Sequence, residues 1–263
     1  MRVSAIQMDI RTRDVRANFD RAYAGVQEAA RRGSHIAILP EMWSTGFAYP
    51  DLADLARNAH RETLRFMTES AKESRLWLLG TIPEPATEGV YNTLYWISPD
   101  GEVAGEYRKA HLFTPTGETE HFAAGSKCDV VRTEHGVFGG LICFDIRFPE
   151  MARMLTLRGA KVLFVAAQFP HPRRDHWETL LRARAIENQV WVVAANRVGK
   201  SGKLEYFGRS MVIDPWGVVV ESEERERECV ITADIDLDYV DDVRSTIPCE
   251  RRPDIYGNFV PER

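Results

Sequence analysis

Apolar positions along this chain recur in two periods, and each period predicts a different element. Residues 3–8 read as a strand. From 14 to 32, Val15, Phe19, Ala22, Tyr23, Val26 and Ala30 follow one another at three-to-four-residue spacing and the pattern stops at Gly33, which predicts an amphipathic helix with a glycine terminus. A second apolar strand over 36–39 closes a strand-helix-strand unit. A helix is predicted over 62–74 and a buried strand over 77–81. Residues 91–97 and 103–109 then flank the turn Pro99-Asp100-Gly101 as an antiparallel hairpin. The strand-helix-strand theme returns at 137–143, 149–158 and 162–166, and again at 177–188 and 190–196. The stretches 209–213, 218–221 and 229–233, with Pro215-Trp216-Gly217 between the first two, read as hairpins. Both themes together imply mixed sheets with helices outside, an α/β layered architecture. No linker tract or internal repeat divides the chain, so one domain is expected over 1–263, with 245–263 as a C-terminal tail.

Composition narrows the classes of function. With 263 residues and 44% apolar positions the chain can bury a full core, and 34 Lys+Arg against 39 Asp+Glu leave a net charge of −5, so no nucleic-acid partner is expected. The longest apolar runs, such as 162–167, fall far short of the ~20 residues that cross a bilayer, so no membrane partner is expected either. Residues 1–9 lack the apolar stretch and cleavage site of a signal peptide, which points to the cytoplasm. Cys128, Cys143, Cys229 and Cys249 are widely spaced with no C-x-x-C, as free thiols in a reducing compartment would be. The charged run 221–228 mixes Glu and Arg and reads as a solvated loop. Asp234, Asp236, Asp238, Asp241 and Asp242 fail as a calcium loop, because Tyr239 holds the glycine position and Ser245 the closing-glutamate position. No metal or other cofactor is expected.

Three stretches offer chemistry. Glu41 follows the strand 36–39 through Pro40, where open α/β sheets bind ligands and where desolvation raises a carboxyl toward general-base use; a helix-capping or ion-pairing glutamate gives the same pattern. In Gly139-Gly140-Leu141-Ile142-Cys143-Phe144-Asp145 a cysteine ends an apolar strand just before a helix near Pro149. At such an elbow a thiolate gains from the positive helix terminus and from any nearby cation, and the following N–H groups face a developing oxyanion. The alternative is a small buried hydrophobe, the reading given to Cys128, Cys229 and Cys249. Lys109 ends a hairpin strand; it is either solvated or buried, and if buried it needs Glu118 or Glu41 as partner. A Cys/His pair using His111, His121 or His176 stays open. No G-x-S-x-G elbow, H-E-x-x-H helix, phosphate loop or dinucleotide fingerprint occurs.

Taken together, Pro40-Glu41, Arg108-Lys109-Ala110-His111-Leu112 and Leu141-Ile142-Cys143-Phe144-Asp145-Ile146-Arg147-Phe148-Pro149 resemble the three ordered signatures of the nitrilase superfamily of carbon–nitrogen hydrolases. The likeness extends over almost the whole chain, including His176-Trp177, 182–189 and Asn196-Arg197. It implies an α-β-β-α sandwich of two mixed sheets and a catalytic triad at Glu41, Lys109 and Cys143. The accessory glutamate falls on Glu118, with Glu120 close by. The implied chemistry is cysteine-dependent hydrolysis of a small amide through a thioester, with ammonia released, no cofactor, and a homodimer or larger homo-oligomer. Within the superfamily, 40–47 and 251–256 are most similar to bacterial omega-amidase-like members, which act on 2-oxo dicarboxylic acid monoamides. The chain departs from those members at Ala167-Gln168-Phe169-Pro170, where Asn-Trp-Pro is expected. For the substrate side, the Phe144 backbone N–H is expected to face the oxyanion, Arg147 is the candidate for a carboxylate with a structural ion pair as its alternative, and Phe169, Trp43 and Tyr49 are candidate pocket walls with core packing as theirs. N-carbamoyl amino acid amidohydrolase and nitrilase chemistry are the alternatives of the same class, and a non-catalytic scaffold the alternative of another.

Overall fold

The computed structural model describes residues 1–257. Its first half runs β1 (Arg2–Gln7), α1 (Val15–Arg31), β2 (Ile36–Ile38), α2 (Leu52–Ser74), β3 (Trp77–Ala86), β4 (Gly89–Ile97), β5 (Val103–Arg108) and the single turn α3 (Glu118–His121). The second half runs β6 (Val130–Thr133), β7 (Gly136–Ile142), a 3-10 turn (Cys143–Arg147), α4 (Pro149–Leu157), β8 (Val162–Ala167), α5 (Arg174–Asn188) and β9 (Trp191–Asn196). It ends with β10 (Val198–Ser201), β11 (Leu204–Phe207), β12 (Met211–Ile213), β13 (Val219–Ser222), β14 (Cys229–Asp234), α6 (Asp238–Thr246) and α7 (Pro253–Tyr256).

Two six-stranded sheets form, in the orders β14-β1-β2-β3-β4-β5 and β13-β12-β9-β8-β7-β6. Each has three parallel strands at its centre, β1, β2 and β3 in one and β7, β8 and β9 in the other, with antiparallel strands at both flanks. The period of two along the strands sorts side chains between layers. In β2, Ile36 and Ile38 enter the core shared by the two sheets, whereas Ala37 and Leu39 face the helix layer with Phe19, Val26, Met67 and Ala71 of α1 and α2. Met151, Leu155, Trp177 and Leu181 of α4 and α5 cover the outer face of the second sheet. The result is the expected α-β-β-α order of layers. Both glycines before Cys143 are required by close packing. A Cβ on Gly140 would lie 2.5 Å from Leu94 of the opposite sheet, and one on Gly139 would lie 2.9 Å from Leu155 of α4.

The helix predicted over 62–74 begins ten residues earlier, at Leu52, because Leu52, Ala56 and Ala59 extend the buried stripe. Segment 229–233 does not form a hairpin with 218–221. As β14 it crosses to the first sheet and pairs antiparallel with β1, Arg2 opposite Asp234, since alternation specifies a buried face but not which strand edge will satisfy the backbone. The hairpin β10–β11 and strand β6 had no prediction. Of the tail expected from 245, α6 still includes Thr246, α7 follows, and residues 258–263 lie outside the described residues. Among the described residues no helix is long and apolar enough to cross a membrane.

Candidate active site

The carboxyl ends of the parallel strands of both sheets lie at one edge of the sandwich, and polar side chains collect there. Glu41 leaves β2 through Leu39 and Pro40, Lys109 follows β5, and Glu118 opens α3, all on the first sheet and its loops. Cys143 leaves β7 of the second sheet. Lys109 Nζ donates to Glu41 Oε1 at 2.8 Å and to the two carboxylate oxygens of Glu118 at 2.9 and 2.8 Å. Its three protons are thereby all directed at carboxylates. Glu41 and Lys109 are fully buried and Glu118 nearly so, while Glu120 is exposed, so Glu118 is the glutamate in contact with the ammonium. Glu41 Oε1 also accepts from Asn92 Nδ2 at 2.8 Å, and Oε2 accepts from the backbone N–H of Gln168 at 3.0 Å. The Phe113 N–H donates to Glu118 Oε2 at 3.0 Å.

Charge states follow from burial set against partners. Burial by itself would lower the Lys109 pKa, but Glu41 and Glu118 more than offset it and hold the ammonium charged. Burial raises the Glu41 carboxyl above its ordinary value, with Lys109 opposing and Glu118 adding to the rise. The Cys143 thiol is pushed well above its ordinary value, first by burial and then by the Glu41 charge, with Lys109 opposing. The cation expected beside the sulfur is there and favours the thiolate, but it does not offset burial and the nearby carboxylates. Burial, with the Glu41 charge, outweighs the ammonium and favours the thiol form of the sulfur.

The elbow itself is strained and tied down. Cys143 has φ = 44°, a left-handed conformation that is unfavourable for a residue with a Cβ. Buried Asp145 holds it by accepting from the Ile142 N–H at 2.9 Å and from the Tyr107 hydroxyl at 2.7 Å, and it also accepts from the His111 N–H at 3.2 Å. His111 Nδ1 lies 2.9 Å from the same carboxylate and its ring stacks on Phe148 at 3.6 Å. His121 stacks on Tyr49, and His176 Nδ1 meets Arg147 Nη2 at 3.1 Å. The Cys/His pairing is therefore corrected: among the described residues each of these three rings is engaged elsewhere.

Above the sulfur opens a cavity of about 340 Å³ whose lining includes Cys143, Glu118, Tyr49, Phe144, Phe169 and Arg147, as expected, and also Gln168, Phe113, Tyr206 and Arg173, which were not. Glu41 and Lys109 sit behind this wall. The Arg147 guanidinium lies 5.4 Å from the Phe169 ring centre, and that of Arg173 lies 5.3 Å from Phe113. Neither guanidinium has a carboxylate partner among the described residues, and burial together with the Arg173 charge holds Arg147 below its ordinary pKa. Trp43 does not join the pocket. It is fully buried between Phe19 and Phe66 at 5.6 and 5.4 Å, because its large apolar ring fills the helix–sheet core. Asn92 had a readable signal, since it shares the inward register of Leu94 and Trp96 yet is polar. Arg173 and Tyr206 had none, because they arrive from a loop and a hairpin.

A family model described as carbon-nitrogen hydrolase matches residues 2–245. The 2-oxoglutaramate amidase of Bacillus subtilis is 38% identical over 97% of this chain and 98% of its own. The omega-amidase NIT2 of Xenopus tropicalis is 34% identical over 91% of each chain. Among solved structures, an amidase of Nesterenkonia sp. AN1 with acrylamide added to its active-site cysteine superposes with a TM-score of 0.85 at 25% identity, covering 94% of this chain and 98% of that one.

Proposed function

Since the chain belongs to the carbon–nitrogen hydrolase family and is a hydrolase of non-peptide C–N bonds, we propose that it is an omega-amidase using Cys143 as nucleophile, Glu41 as general base and acid, and Lys109 as electrophile. The observation that carries this reading is a buried thiol on the wall of one cavity with an ion-paired carboxyl and ammonium packed directly behind it. Glu41 takes the Sγ proton as sulfur bonds to the amide carbon. The carbonyl oxygen gains negative charge opposite Lys109 and the Phe144 N–H, an amide in the first turn of the 3-10 segment with no acceptor inside it. Once Glu41 carries a proton its hold on Lys109 weakens, which frees one Nζ proton for the oxyanion. Glu41 then protonates the leaving nitrogen, the C–N bond breaks, and ammonia departs from a thioester. Water gives a proton to Glu41 and its oxygen to the acyl carbon, the C–S bond breaks, and the proton returns to sulfur. Glu118 keeps Lys109 charged and aimed throughout.

For the substrate, Arg147 and Arg173 supply positive charge in a chain whose net charge is −5, which suits an amide with a carboxylate at its far end, such as a 2-oxo dicarboxylic acid monoamide. The test is ammonia release across a panel of 2-oxo acid monoamides, N-carbamoyl amino acids and nitriles, with the first class turned over best. Arg147→Gln is expected to raise KM for that class about 10- to 100-fold with kcat little changed, the loss of one charge-assisted contact. Equal loss with a neutral amide would remove Arg147 from carboxylate binding.

The same reading includes a homodimer and a reducing cytoplasm, which suits four cysteines free of disulfides. Supporting the dimer, Ile186 of α5 and Trp216, Val218 and Val220 are exposed, and Gly217 packs directly on Ile186. Trp216→Glu combined with Val218→Glu is expected to halve the mass seen by light scattering.

A further inference from the structure

The base and the nucleophile ride on different sheets, so catalysis needs something that fixes one sheet end against the other. At the carboxyl ends of β1, β2, β8 and β9 the structure holds a polar chain behind Glu41, buried at Gln168 and Arg197 and ending on the partly exposed Asp9, whose members beyond Glu41 the mechanism has not used. Gln168, just past β8, is bonded to Glu41 twice: its backbone N–H donates to Oε2 at 3.0 Å, and its Nε2 donates to the Glu41 carbonyl at 2.8 Å. The far end of the same amide is pinned by Arg197, just past β9, whose Nη1 donates to Gln168 Oε1 at 2.9 Å. Arg197 can only donate, so it dictates which end of the Gln168 amide faces it and leaves the NH₂ for Glu41. Arg197 is itself fixed. Its Nη2 donates to Asp9 Oδ1 at 2.9 Å and to the Ile10 carbonyl at 2.6 Å, its Nε to the Val198 carbonyl at 3.2 Å, and its guanidinium lies 4.3 Å from the Tyr206 ring centre. Both Asp9 and Glu41 belong to the first sheet's loops, and Gln168 and Arg197 to the second's.

We infer that Arg197 is a positioning residue for C–N hydrolysis, setting the Glu41 carboxylate against Cys143 through Gln168. An asparagine at 168 is one methylene shorter. The glutamine amide spans the gap between the Glu41 carbonyl and the guanidinium. A buried arginine is costly to desolvate, and the four hydrogen bonds that satisfy Arg197 fix its guanidinium in one orientation. The other charged or titratable groups acting on Glu41 are Lys109, Glu118 and Cys143, and Tyr206 faces it from β11; none of them is bonded to Gln168.

The inference rests on Glu41 as the base, so Glu41→Gln is measured alongside. Gln168→Met keeps the length of the side chain and removes both amide bonds. It is expected to lower kcat about 10- to 100-fold, the range for an ångström-scale misplacement, with KM for the 2-oxo monoamide within twofold of the parent. Arg197→Lys keeps the charge beside Asp9 but loses the planar fork, and is expected to give the same split in smaller measure. A raised KM at unchanged kcat in Gln168→Met would make Gln168 a wall residue and overturn the proposal. So would an unchanged kcat with only a lowered melting temperature, which is a structural role alone. If Glu41→Gln retains full activity, the reading of Glu41 fails instead, and the two failures are distinguished.

Discussion

Cys143→Ala is expected to abolish ammonia release, on the order of 10⁴-fold or more, while leaving the fold and the melting temperature nearly unchanged. The sulfur has no counterpart in the site: Glu118 and Glu41 are held by Lys109 and by backbone N–H groups, so neither carboxylate is free to attack in its place. The elbow conformation does not depend on the thiol, because Asp145 anchors it from the Ile142 N–H and the Tyr107 hydroxyl. Alanine therefore removes one polarisable atom at a position already strained at φ = 44°. Ammonia assay with a thermal melt checks both halves. Calorimetric binding of a 2-oxo monoamide to the variant should also survive, since the arginines and aromatic walls are untouched. Turnover within a hundredfold of the parent would remove Sγ as nucleophile.

Lys109→Met is expected to have the largest effect on stability. It leaves Glu41 and Glu118 buried together with no cation between them, the situation in which breaking a buried pair costs about 3–5 kcal/mol, or roughly 10 °C in melting temperature for a chain of this size. The pH dependence has a definite sign. Glu41 already sits above its ordinary value through burial, and losing Lys109 removes the main opposing influence, so the folded pKa rises further. A carboxyl raised on folding contributes stability below its unfolded pKa and loses it as pH rises through the folded one. The deficit against the parent should therefore be greatest at neutral pH and above and should shrink on acidification. Denaturant melts across this range check it; a deficit constant with pH would mean that Lys109 matters for packing and not for charge. Activity should be absent at every pH, because the oxyanion loses its cation.

How much of this was legible without coordinates differs between layers and site. The strands and helices that carry the core were readable because burial imposes a period on each: Val15, Phe19, Ala22 and Val26 could serve only a helix face, and Ile36 to Leu39 only a doubly buried strand. Glu41 and Cys143 each end an apolar strand, which is a local signal, whereas Lys109 ends a mostly exposed hairpin strand and is singled out with them by the family resemblance. What defeated local reading was partnership. β14 pairs with β1 from the other end of the chain, Trp43 turns into the helix layer although it follows Glu41 by two residues, and Arg173 and Tyr206 reach the site from two separate elements.

The order of hydrophobic and polar residues by itself determined the α/β layers, since one-dimensional periodicity records which face each element must bury, and the three motifs of the family resemblance placed Glu41, Lys109 and Cys143 at strand ends. Only the tertiary structure decided that Glu118 and not Glu120 meets Lys109, that burial pushes the Cys143 thiol up, and that Gln168 and Arg197 stand behind Glu41. Those outcomes depend on distances of a few ångströms between segments far apart in sequence and on the loss of water around them, and a pattern along the chain carries neither.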